Sequence, residues 1–356
     1  MKTILFALVL SFIFTGVSIP QTHEDAVEYL KSGIKSVDKG DYEDGVNQIK
    51  KALEIEPKNT LFNYELAFTY YKMNKYDKVI NILEKVKKNP DTFDLIFSVL
   101  GNAYDIIGDR DKAIETYKTG LKKFPGSGKI YLELGVVEIS EKKYEEALKY
   151  FEKGIEVEPT HPSNYYWASQ IHAGSKYPLW GLIYGEIFLN LEQGTKRAEG
   201  ISEMLFKLYS ESISMRDSSG KKTINIKLNR VNDGKGFESD YEMTAMFAAL
   251  KLAADSTVSG FNIDAMNKLR HYFIEMWYGT EKTKNDHNVL FDYHKMMIDK
   301  GLFEAYNYFI LAYGDTDEFK KWAESNKEKA KEFDNWFSEY GINLTKENAM
   351  YRKENK

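Results

Sequence analysis

The sequence predicts an all-α chain whose N-terminal half is a stack of helical hairpins. Three observations predict it. Phrases closing on proline recur about every 34 residues, each phrase holds two amphipathic helical stretches, and small and bulky residues return at fixed offsets.

The closing phrases are Ala52-Leu53-Glu54-Ile55-Glu56-Pro57, Gly120-Leu121-Lys122-Lys123-Phe124-Pro125 and Gly154-Ile155-Glu156-Val157-Glu158-Pro159. Pro125 and Pro159 are 34 apart, Pro57 and Pro125 twice that, and Pro90 sits one residue before the missing beat. Proline ends each second helix because it lacks the N–H and clashes with the preceding turn. Small residues recur at Gly33, Ala67, Gly101 and Gly135, and again at Gly45, Val79, Ala113 and Ala147. Bulky residues recur at Ile49, Leu83, Tyr117 and Phe151. Tyr42, Tyr76 and Tyr144 form a further row, with Arg110 as its exception. A small residue where two helices cross lets the backbones approach, and a bulky one fills the gap beside it. Lys39-Gly40-Asp41 and Gly108-Asp109 supply turns.

A 34-residue helix–turn–helix phrase of this kind resembles the tetratricopeptide repeat family. The resemblance covers about half the chain: four clear repeats and a degenerate fifth over 162–193, where Tyr165, Ala168 and Ser169 fit the first helix and Pro178 opens the second. Gly120 and Gly154 stand where the family usually has alanine, which predicts weaker second helices.

The resemblance implies a solenoid over 24–193 with a concave groove lined by the first helix of each pair. Carried onto this sequence, its groove positions are Leu30 and Ile34; Tyr64, Phe68, Tyr71 and Lys72; Ser98, Asn102 and Asp105; Leu132, Val136 and Ile139; and Tyr166 and Gln170. Phe68 is expected to lean more to the core than Tyr64 or Tyr71. Such a groove, aromatic and apolar with few charges, suits an extended peptide or an amphipathic helix. The family's carboxylate-clamping type needs several cations at fixed positions. Only Asn102 is in such a place, and Leu30 and Tyr64 stand where polar groups would be required, so that type is excluded.

The remainder divides into a leader, a junction and a second helical domain. Met1-Lys2-Thr3, an apolar run from Ile4 to Phe14 and small residues before Ser18 read as a signal peptide over 1–18, too short for a membrane span. The expectation is an exported chain, periplasmic or secreted. Over 194–238 a helix from Thr195 to Met215 precedes an alternating stretch, Thr223 to Asn229, that predicts a strand or short β-hairpin. Helical patterns follow over 239–344: Tyr241–Ala254, Ile263–Tyr278, Asn285–Lys300, Leu302–Tyr313 and Glu318–Tyr340, with glycines near their ends. Residues 345–356 are polar and expected to fray.

Composition narrows the function. The net charge of −5 disfavours a dedicated nucleic-acid binder, and the absence of cysteine removes disulfides and thiolate metal sites. His271, Asp286, His287, Asp292 and His294 are the one group with metal-ligand chemistry, but their spacing is not that of a helical metal pair, so no metal or cofactor is expected. No nucleophile elbow or phosphate loop appears. The reading is an exported scaffold that binds a protein or peptide, without catalysis of its own. The alternative is an envelope glycan-binding protein or enzyme, with a site where the aromatic stretch Tyr165-Tyr166-Trp167 and Tyr177-Pro178-Leu179-Trp180 meets the C-terminal helices. A pocket lined by Trp167 and Trp180 would distinguish it from a filled hydrophobic cap.

Overall fold

A computed structural model describes residues 22–175, 178–218, 221–226, 236–258, 260–280, 283 and 288–352. The leader expected over 1–18 lies outside them. The chain is all-α in class, and it divides into two compact units, residues 1–113 and 114–356.

The first unit holds two helical hairpins and the helix that opens a third. Helices α1 (His23–Asp38) and α2 (Tyr42–Ile55) form the first, α3 (Thr60–Lys72) and α4 (Tyr76–Val86) the second, and α5 (Asp94–Ile106) packs on α3 and α4. Side-chain caps start several of these helices. Thr22 and Asp25 form a capping box on α1, Asp41 caps α2 and Asn59 caps α3. The division between the units falls inside α6 (Arg110–Lys123).

In the second unit, α7 (Gly128–Ser140) pairs with α8 (Tyr144–Val157), and α9 (Pro162–Ala173) with α10 (Pro178–Leu191). The repeat rows have the predicted physical meaning in both units. A Cβ on Gly33 would come within 2.7 Å of Ile49, and one on Gly135 would run into the Phe151 ring. The tyrosine row marks the first residue of α2, α4 and α8, and Arg110 opens α6. Pro57, Pro125 and Pro159 each follow the end of a second helix by two residues. Gly154 is more than a weak helix former: a Cβ there would come within 2.5 Å of Asn164, so its absence lets α9 approach α8.

After α10 come α11 (Lys196–Ser212) and then β1 (Ile213–Ser218), paired antiparallel with β2 (Lys221–Ile226) in the register Ile213↔Ile226 to Ser218↔Lys221. The α11 helix therefore ends at Ser212, short of the expected Met215, where the chain turns extended. Residues 227–229 of the expected strand lie outside the described ones.

Six helices follow among the described residues: α12 (Phe237–Ala254), α13 (Ile263–Gly279), α14 (Val289–Asp299), α15 (Phe303–Ile310), α16 (Thr316–Ser325) and α17 (Lys327–Glu339). The single helix expected over Glu318–Tyr340 is two. Asn326 breaks it with φ −128° and ψ 40°, and its side chain donates to the Trp322 carbonyl at 2.9 Å. One continuous hydrophobic core runs from Leu132 to Leu344, so the last two hairpins and the C-terminal helices share their interior. Of the segment expected to fray over 345–356, Met350 and Tyr351 lie on the core and the Arg352 amide donates to Tyr184 Oη at 2.7 Å, and residues 353–356 lie outside the described ones. No described helix is long and apolar enough to cross a membrane.

Candidate functional site

The first-helix face of the first unit is built on α3. Tyr64, Phe68 and Tyr71 follow the i, i+4, i+7 spacing that aligns side chains on one helix face. Their rings form a ladder: Tyr64 and Phe68 lie nearly parallel at 5.9 Å, and Phe68 and Tyr71 at 6.4 Å. Phe93 closes one end edge-on against Tyr64 at 5.0 Å, and Tyr76 the other against Tyr71 at 5.6 Å. Lys72 Nζ sits 5.2 Å from the Phe68 centroid, a cation–π distance. The expected order of burial is inverted between Tyr64 and Phe68. Tyr64, under Phe93, is only 7% exposed, whereas Phe68 and Tyr71 are half-open. Burial pushes the Tyr64 hydroxyl up to about 12.

The other predicted positions of this unit are less uniform. Leu30 is buried, and Ile34 is partly covered. Asn102 is half-buried, and Asp105 faces Arg110 at 3.7 Å. Sequence reasoning missed Leu61 and Leu95, 46% and 38% exposed at the starts of α3 and α5. They stand 34 residues apart, which is the signal that would have found them. It also missed Glu65, between Leu61 and Phe68 on the same stripe.

In the second unit Val136 and Ile139 lean on the core and Leu132 is inside it. Tyr166 is wedged against Trp167 at 5.2 Å and Phe188 at 5.4 Å, with the Arg197 guanidinium 5.0 Å from its centroid. Gln170 is exposed. Of this unit's predicted groove residues, Gln170 is exposed and Val136, Ile139 and Tyr166 are half-buried, and no aromatic ladder like that of α3 joins them.

The aromatic junction is filled at Trp180. Its ring packs on Tyr184 at 5.4 Å and Phe237 at 5.7 Å, and its indole N–H donates to Glu238 at 2.7 Å. Trp167 stacks on Phe151 at 6.4 Å. Trp180 is therefore packed inside the junction, and Trp167 is half-buried beside it.

The candidate metal group is dispersed. His271 faces Glu275 at 3.3 Å on the surface, Asp292 accepts from Tyr278 at 2.5 Å, and His294 turns inward; Asp286 and His287 lie outside the described residues. His294 belongs to a buried polar cluster in which Glu186 Oε1 accepts from Arg270 Nη2, from His294 Nε2 at 2.6 Å and from Tyr306 Oη at 2.8 Å. Asn190 Nδ2 donates to Tyr306 Oη at 2.8 Å. A carboxylate only accepts, so Nε2 is the proton-bearing nitrogen of His294. Burial pushes the Glu186 carboxyl up, but Arg270 and His294 outweigh it and hold it down at about 2. Burial lowers the His294 pKa despite Glu186. Glu186, Arg270 and His294 are 2%, 5% and 4% exposed. Groups this closed tie α10 to α13, α14 and α15.

Comparison with known proteins agrees with the periodicity. Family profiles described as Tetratricopeptide repeat match residues 36–94, and residues 96–122 with 128–161. Residues 36–161 carry tetratricopeptide repeats. The matched residues take in α2 to α8, and the helices from α9 onward lie beyond them. Anaphase-promoting complex subunit 3 of Dictyostelium discoideum is 30% identical over 83 residues, 23% of this chain and 9% of that protein. Small glutamine-rich tetratricopeptide repeat-containing protein 2 of Mycosarcoma maydis is 36% identical over 75 residues, 21% of each chain. The chain thus spans about a fifth or less of the length of these relatives. Among solved structures, Pseudomonas aeruginosa PilF is 18% identical, covering 53% of this chain and 86% of its own with a TM-score of 0.45. MamA is 23% identical, covering 48% and 93% with a TM-score of 0.38.

Proposed function

We propose that this tetratricopeptide-repeat chain is an exported scaffold that binds a protein or peptide through the first-helix face of its repeats and performs no catalysis itself. The observation that carries the reading is the open part of the α3 ladder: Phe68 and Tyr71 stacked, half-exposed and flanked by Lys72. Aromatic side chains held rigid by their neighbours offer contact area at little cost in side-chain entropy, which is what an interaction surface requires. Export rests on the apolar run Ile4 to Phe14 behind Lys2, and the partner then belongs to the bacterial envelope or the exterior of the cell.

The test is a crosslinking pull-down from envelope extract with the wild-type chain and a Phe68→Ala/Tyr71→Ala variant. Tyr64 is left intact because its burial makes its removal a test of folding. A protein retained by wild type and lost by a variant with an unchanged thermal melt supports the reading. Equal capture by both removes this face from the function. Export is tested separately, by whether a chain expressed with residues 1–18 fractionates outside the cytoplasm and loses the mass of the leader.

A further inference from the structure

We draw no further inference here: the strongest candidate, the exposed apolar stripe of Met243, Phe247 and Leu250 along one face of α12, carries nothing because nothing in the structure shows what covers it.

Discussion

His294 Nε2 lies 2.6 Å from Glu186 Oε1, which joins α14 to α10 across 108 residues of sequence. Arg270 from α13 and Tyr306 from α15 converge on the same oxygen. One carboxylate therefore couples the last repeat-like hairpin to three helices outside the profile matches. A buried cluster of this kind is costly to break from one side, because the remaining charge keeps its burial and loses its compensation.

Arg270→Met should accordingly destabilise the second unit by about 3–5 kcal/mol, since it strands Glu186. Adding Glu186→Leu should recover much of that loss, because a well-packed apolar pair has no charge to strand. Urea unfolding of the two single variants and the double variant checks this. A double variant as unstable as the sum of the singles would show that the cluster is not an electrostatic unit.

Acid should loosen the same unit in two stages. Glu186 is depressed from its ordinary 4.5 to about 2, so its stabilisation is complete above about pH 4.5 and is lost as pH falls toward 2. His294 is also depressed, from 6.5, so below that pH the unfolded chain takes up a proton more readily than the folded one, and stability falls there too. Melting temperature should decline as pH drops below about 6.5 and again below about 4.5. The His294→Gln variant should lose the first decline and retain the second.

Turn residues offer a stabilising change. Gly40, Asn74, Gly108 and Lys142 stand 34 residues apart, and all four have positive φ: 85°, 58°, 88° and 60°. Glycine adopts this backbone freely, whereas a lysine there is strained. Lys142→Gly should raise stability by up to about 1 kcal/mol, and Gly108→Ala should lower it by a similar amount. Chemical denaturation of each variant measures both signs.

Gly135 should not accept a larger side chain. Because a Cβ there meets the Phe151 ring, Gly135→Ala should cost about 1–3 kcal/mol by overpacking α7 against α8. Phe151→Leu in the same chain should return part of it by clearing the ring. If Gly135→Ala alone is neutral, the crossing is looser than its geometry indicates.

The repeat half of the fold was legible because periodicity carries three-dimensional information. A row at one offset must occupy one place in every hairpin, so the spacing alone relates Gly33 to Ile49 and Gly135 to Phe151, the pairs that meet at the crossings. The C-terminal helices have no such period. Their ends depend on single residues such as Asn326, whose side chain caps one helix and interrupts what the apolar pattern read as continuous. The cluster on Glu186 was invisible for a different reason. Its other members lie 84 to 120 residues from Glu186, and nothing local in Arg270 or His294 announces a shared partner. At the candidate face the residue types were legible, but the order of burial was not, because Tyr64 is covered by Phe93 from the neighbouring loop.

The bond from the Arg352 amide to Tyr184 Oη spans 168 residues, so its two ends leave the ribosome at different times. At about 5–20 residues per second, on the order of ten to thirty seconds separate them. Throughout that interval α10 exists with its C-terminal neighbour still unmade, and the Tyr184 hydroxyl, which already reaches Glu152, waits for its second partner. The second unit cannot then be completed as its helices emerge, one after another. This contact is a late event, and a spectroscopic label near residue 352 would time it.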